Sequence, residues 1–284
     1  MAPVSTTLNS VRNSRLVTVA AALALTSASP VQASGQVVRL ASAARESVLA
    51  VGLGPQHDVP RPSVRKAAAG ERATYEVRLA GRGVGEGSLE VLGEENVRGY
   101  KTLHVALQIS GGLLFAKVND RFDSWMDADN LFTRRFVQNQ RELRHTRYHE
   151  YNFSPEEKTY HQVDNDERGN LGTTEPLDDV SFLFYARTLP LRVGDVDTIP
   201  RYFKSGHDVI LKVLRKERIE VPAGTFETIV VQPTITNAGG LFGQGGQAEV
   251  YFSDDNARTL VMMKSRVPVM GSLSLHLKEF KAAP

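Results

Sequence analysis

The first candidates for chemistry are His145, His149 and His161. On a helix, a spacing of four would set His145 and His149 one turn apart, which suits zinc. The stretch Arg144–Phe153 instead alternates as a strand does. His145, Arg147, His149, Tyr151 and Phe153 then share one face, with the two histidines too far apart for one ion. The chain has no cysteine to help. Solvated strand histidines are expected, and no metal.

Asp120, Asp123, Asp127 and Asp129 resemble a calcium loop at first sight. Such a loop needs Gly at its sixth place and Glu at its twelfth, where this chain has Trp125 and Leu131. Asp127-Ala128-Asp129-Asn130 suits a hairpin turn better, because Asp and Asn bond their own backbone there. Gly239–Gly246 is glycine-rich but lacks the Lys-Ser/Thr ending of a phosphate loop. Its apolar tip, Leu241-Phe242, is echoed by Leu113-Leu114-Phe115. Two such lips at one rim would meet a greasy ligand or a membrane surface, or else fold back and cap the core. There is no Gly-x-Ser-x-Gly elbow and no Ser-x-x-Lys. Carboxylates are plentiful, but no pair is singled out, and no cofactor is implied.

The elements that carry these residues follow from composition and pattern. Residues 1–33 hold Arg12 and Arg15, no acid, an apolar run from Leu16 to Ser29, and Val31-Gln32-Ala33. This is the pattern of a secretory signal peptide cut after Ala33, which makes the mature protein periplasmic. The apolar run is short for a bilayer, and no later segment is long enough to cross one. The chain has 34 Lys and Arg against 32 Asp and Glu. Without Arg12 and Arg15 the mature chain is formally neutral, which argues against nucleic acid. An exported chain without cysteine must be held by its core alone, and 41% hydrophobic residues suffice for one. Residues 34–69 read as a low-complexity linker, rich in Ala and Ser and then in Pro. Val37, Leu40, Ala44 and Val48 would give it at most one short helical face.

From Ala73 the chain alternates. Tyr75, Val77 and Leu79, then Leu103, Val105, Leu107 and Ile109, then Leu273, Leu275 and Leu277 mark half-buried antiparallel strands. Gly-rich and Asp/Asn-rich turns separate ten to thirteen of them. One helix is predicted, capped by Asp178 or Asp179 and stopped by Pro190. Leu89–Val97 is echoed by Leu211–Ile219 at an offset of 122. Lys101–Leu103, Gly111–Leu113 and Ser124–Asp127 are echoed in the same order by Glu227–Ile229, Gly239–Leu241 and Tyr251–Asp254. Two repeats, about 73–139 and 200–266, inside one domain over 70–281 explain this order.

Several stretches resemble a bacterial export family known as domain of unknown function 3108. They are Gly70–Val77, Asp120–Trp125, Thr188–Asp195, Val221–Phe226 and Ser265–Gly271. The Val-Pro-Ala-Gly-Thr-Phe hairpin and the Leu-x-Val-Gly-Asp turn are the most specific parts. The resemblance implies no activity and no catalytic residues. The phrase around Trp125–Phe132 is also similar to one hairpin of the lipoprotein-carrier half-barrels, which implies a fold and a ligand class.

The sequence therefore predicts a mostly-β protein. It is a large curled antiparallel sheet, a half-barrel or open barrel, built from a duplicated meander with one short helix on its concave side. A helix that only covers a sheet needs one apolar stripe, which Val180, Leu183 and Phe184 supply. The further bulk at Phe182 and Tyr185 is expected to meet a groove with Trp125 on its wall. The expected function is non-catalytic binding of a lipid, lipoprotein or glycolipid. Leu113, Phe115, Trp125, Phe182, Phe184, Leu241 and Phe242 form the expected lining. The alternatives are an adaptor pairing through its sheet edge and a hydrolase with an unrecognised site.

Overall fold

A computed structural model describes residues 64–113, 116–142, 145–235, 248–267 and 271–284. The segment expected to be a signal peptide, most of the expected linker, Phe115, Leu241 and Phe242 lie outside these residues.

The described residues form one antiparallel sheet of fourteen strands and one helix. The strands are β1 Arg72–Leu79, β2 Arg82–Val97, β3 Tyr100–Leu113, β4 Ala116–Asp127, β5 Thr133–Glu142, β6 His145–Ser154, β7 Thr159–Gln162 and β8 Glu167–Asn170. After helix α1, Asp179–Ala186, come β9 Val196–Tyr202, β10 His207–Val221, β11 Gly224–Ile235, β12 Ala248–Ser253, β13 Leu260–Val267 and β14 Gly271–Lys281. Fourteen exceeds the ten to thirteen expected; β7 and β8, four residues each, are too short for alternation to reveal. Each strand pairs with its sequence neighbour, except that β14 pairs with β1. The sheet thus starts at β9, runs to β14, passes to β1 and ends at β8. Its two edges are not paired with each other. The segment after β8 spans part of the gap: Leu177 donates to the Arg201 carbonyl at 2.7 Å and accepts from the Phe203 amide at 2.8 Å.

The hairpins form where turn chemistry predicts them. Pro222 and Ala223 join β10 to β11, and Gly224 takes φ 125°, a region closed to most side chains. Asp127 Oδ1 accepts from the amides of Asp129 and Asn130, which makes the acidic run a turn rather than an ion site.

The two halves of the meander share local irregularities. A bulge follows Val91 in β2, and another follows Val213 in β10, 122 positions later. Thr102 Oγ1 donates to the Glu95 carbonyl at 2.8 Å, and Thr228 Oγ1 to the Glu217 carbonyl at 2.6 Å. The strand register sets Trp125 opposite His104 and Tyr251 opposite Val230. If the halves are repeats, this register sets Trp125 against Tyr251, one residue from the match suggested by sequence.

Alternation decides which residues enter the core. Tyr75, Val105, Phe122, Phe136, Leu211, Val231 and Phe252 lie on the concave face and are buried there. Helix α1 fills this concavity. Asp178 caps it, accepting from the amides of Val180 and Ser181, and Ser181 returns a bond to the Asp178 amide. Ser124 of β4 and Thr133 of β5 both donate to Asp178 Oδ2 at 2.6 Å. At the other end, Arg187 meets Glu71, just before β1, at 2.7 Å. The helix thus crosses the concave face from β4 and β5 to β1. It is surrounded by sheet, so it needs more than one apolar stripe. Val180, Phe182, Leu183, Phe184 and Ala186 are all buried.

Candidate functional site

The helix exit shapes a cleft at the end of the sheet that α1 plugs. Leu191, Arg192 and Val193 follow the helix and form one wall, with Val64 beside them. Lys216 of β10 and Ile229 of β11 belong to the floor. The turn between β12 and β13 supplies Asp254, Asp255, Asn256 and Arg258. The cleft encloses about 470 Å³, within the range of small-ligand sites. It is amphipathic: Val64, Leu191, Val193 and Ile229 are apolar, while the rest are charged or polar.

Local bonding fixes the rim. The Arg65 amide donates to the Asn256 carbonyl at 2.7 Å. Asp255 Oδ1 accepts from Ser253 Oγ and from the amides of Ala257 and Arg258, which folds the turn on itself. Lys216 Nζ and Asp254 Oδ2 are 2.6 Å apart. Two residues of the cleft hold left-handed backbone, Leu191 at φ 45° and Arg258 at φ 47°. Such conformations cost about 1–3 kcal/mol when the side chain is not glycine, and they gather at ligand sites. Val193, by contrast, is 53% exposed, an apolar side chain turned outward at the cleft.

A second, much smaller cavity of about 20 Å³ lies deeper, under the helix. Leu183, Phe184, Phe252 and Leu260 line it, with Tyr75 and the ion pair of Arg187 and Glu71. Arg258 is the residue that borders both spaces. Tyr75 donates to the Leu260 carbonyl at 3.0 Å, and burial pushes its hydroxyl far above the ordinary phenol range.

Among the described residues, the sequence-predicted lining residues Trp125, Phe182 and Phe184 are not assembled as one surface. Phe182 is 1% exposed and packed in the core. Phe184 is also buried but borders the deep cavity. Tyr185, expected to meet a ligand, lies under the Arg201 guanidinium at 4.5 Å. Trp125 is on the opposite face of the sheet. Its neighbours Ser124 and Met126 point to the helix and core, so Trp125 points away. There it stacks on His104 at 4.1 Å between centroids, donates to Glu95 Oε2 at 2.7 Å and carries Arg135 over its ring at 4.4 Å. Leu113 ends β3 opposite Ala116, and its side chain is outside the described residues.

His104 bridges two carboxylates, with Nδ1 2.8 Å from Glu95 and Nε2 2.9 Å from Asp123. The hydrogen bond from Trp125, and then that from His104, holds Glu95 below the usual carboxylate range. Burial pushes Asp123 up, but bonds from His104 and Arg121 outweigh it and leave Asp123 below that range. The strand histidines are paired separately, His149 with Asp164 at 2.9 Å and His161 with Asp166 at 2.8 Å. Among the described residues, no group of three His, Cys, Asp or Glu could hold a metal ion. None of their helices is long and apolar enough to cross a membrane.

Sequence reasoning recognised Leu191–Asp195 as a turn but not as the wall of a cleft. The available signal was Leu191 and Val193, two apolar side chains in a turn that a simple connection does not need.

The match to a family model agrees with this strand frame, covering residues 74–278, from β1 into β14. The chain belongs to the family of proteins of unknown function DUF3108. No curated protein matches it. In fold, it is similar to a β-barrel-like protein of domain of unknown function DUF1849 from Brucella abortus. Identity there is 10%, coverage 78% of this chain and 100% of that chain, and the TM-score 0.52. A candidate lipoprotein from Parabacteroides distasonis aligns over 76% of this chain and 97% of its own, at 11% identity and a TM-score of 0.34. The DUF3108 chain thus shares a curled-sheet architecture with a barrel-like protein of another uncharacterised domain.

Proposed function

We propose that this DUF3108 chain is an exported, non-catalytic binding protein that holds an amphipathic component of the cell envelope in the cleft beside α1. The observation that carries the reading is the cleft itself, about 470 Å³ with apolar walls and a charged rim. The pattern of residues 1–33 supports export. The ligand does not occupy the whole concave face, because α1 already fills it. It sits where the helix ends. Equilibrium dialysis with radiolabelled dodecanoate tests this. The wild-type chain binds one equivalent. Val193→Asp, a change at a half-exposed position that leaves the core intact, weakens binding at least tenfold. Absence of binding to the wild type would contradict the reading.

One observation favours a second reading. Val196, at the start of edge strand β9, is 59% exposed and close in sequence to Val193. An extended segment of an envelope protein could pair with β9 there. Photo-crosslinking from position 196 in cells separates the two: a protein adduct supports pairing, and its absence leaves the lipid reading.

A further inference from the structure

We infer that the cleft has a built-in competitor: residues 58–63 of the same chain dock in it when no ligand is bound and so regulate access. This rests on the reading of the cleft as a binding site and goes further by naming what occupies it in the absence of ligand.

The point from which that segment starts is fixed. Val64, the first described residue, is itself part of the cleft lining. Arg65, next to it, is held from three sides. Its amide donates to the Asn256 carbonyl on the rim at 2.7 Å, and its carbonyl accepts from Arg187 Nη2 at 3.4 Å. Its guanidinium reaches Glu71 at 3.4 Å. The chain before Val64 lies outside the described residues, but it has to depart from this wall. A short segment tethered at a site is present there at an effective concentration of about millimolar, so even a weak contact competes with a free ligand.

The segment matches the chemistry of the wall. It reads Asp58-Val59-Pro60-Arg61-Pro62-Ser63, and Val59 is the nearest large apolar residue upstream of Val64. Pro60 and Pro62 fix their own backbone and disfavour helix at Val59 and Arg61, which favours an extended run. At about 3.1 Å per residue, such a run covers about 16 Å from Val64 to Val59, long enough to lie along the cleft. The apolar counterpart in the wall is Val193, 53% exposed, which gains from being covered. The charges agree as well. Lys216 is matched by Asp254, and Asp255 Oδ1 by Ser253 and its own turn. The exposed Arg192 has no ion pair among the described residues. Asp58, beside Val59, carries the opposite sign. The segment thus offers what dodecanoate offers, an apolar body next to a carboxylate.

The test uses the full mature chain with a benzophenone amino acid at position 59, and peptide mass spectrometry to locate the adducts. Dialysis measures dodecanoate binding in the same samples. Irradiation should join position 59 to the peptides that hold Leu191–Gly194 or Ile229 of its own chain, and dodecanoate should suppress that adduct. Adducts elsewhere, adducts only between chains, or none, in a protein that binds dodecanoate, would overturn the inference and leave the cleft reading intact. A cleft adduct undiminished while dodecanoate is bound would overturn both, because the ligand would then sit elsewhere. Absence of dodecanoate binding would also overturn both. Val59→Ser in the otherwise native chain removes the apolar contact and should tighten dodecanoate several-fold, whereas Val59→Leu should weaken it; unchanged affinity in both variants would contradict the competition.

Discussion

Arg187 and Glu71 face each other at 2.7 Å, both almost fully buried, where the end of α1 meets the start of β1. This pair closes the helix against the strand that joins the two halves of the sheet. Arg65 also reaches Glu71, at 3.4 Å, so the chain entering β1 belongs to the same cluster. Removing Arg187 leaves buried Glu71 with the longer contact to the more exposed Arg65 at 3.4 Å, at a cost of up to about 3–5 kcal/mol. Arg187→Met should therefore lower the melting temperature sharply. Arg187→Met with Glu71→Leu should recover much of the loss. Thermal unfolding of the three proteins checks this, and a double variant no more stable than the single one would contradict it.

The cap at Asp178 is the other anchor of the helix. It receives two helix amides and the hydroxyls of Ser124 and Thr133. Asp178→Ala loses the cap, worth about 1 kcal/mol, and removes the partner of the buried Ser124 hydroxyl at about 1–3 kcal/mol, whereas Thr133 keeps Ser181 Oγ at 2.8 Å. Asp178→Asn keeps the shape and should cost less. Denaturant titration should rank wild type above Asn above Ala.

Acid should destabilise the outer face of the sheet first. Glu95 and Asp123 are held below their ordinary values of 4.5 and 3.8. A carboxylate with a depressed folded value contributes stability above its ordinary range, and that contribution is lost as pH falls through the folded value. Burial raises Asp178, so its contribution has the opposite sign, present at low pH and lost as pH rises. Melting temperatures measured downward from pH 6 should fall. Asp123→Asn should flatten the part of the fall due to this site; an unchanged slope would show that other carboxylates carry it.

Trp125 reports on its own face and not on the ligand. It stacks on His104 and bonds Glu95, away from α1. Dodecanoate should leave its emission unchanged, whereas His104→Ala should shift it to the red. A shift with dodecanoate and none with His104→Ala would place the ligand on the other face.

Much of this fold was legible because period two is a strong signal. The runs at Tyr75–Leu79, Leu103–Ile109 and Leu273–Leu277 became β1, β3 and β14. A cap at Asp178 or Asp179, which the structure assigns to Asp178, and the Val221–Gly224 hairpin were legible through residue types with one favoured local geometry. Strands β7 and β8 were not, since four residues show no period. The face of Trp125 was missed for a different reason. Its alternation was readable, but the side of the sheet that α1 would occupy is decided by Ser124 and Thr133 binding Asp178, a contact over 54 and 45 positions. Phe182 and Tyr185 were assigned to a ligand because one covered face was assumed; a helix enclosed by a curled sheet buries Phe182 as well, and only Tyr185 stays partly exposed, under Arg201. The cleft was hidden because its lining comes from five separate segments, Val64 ahead of β1, the turn after α1, β10, β11 and the β12–β13 turn, none with a motif for a ligand.

The central claim is that an amphiphile resides in the cleft lined by Leu191, Val193 and Ile229. Native mass spectrometry of the protein purified from the envelope fraction tests it most directly. The account predicts an added mass matching one amphiphile, retained by the wild type and lost in Val193→Asp. A wild-type spectrum showing the bare chain alone, with none bound after dodecanoate is added, would contradict it.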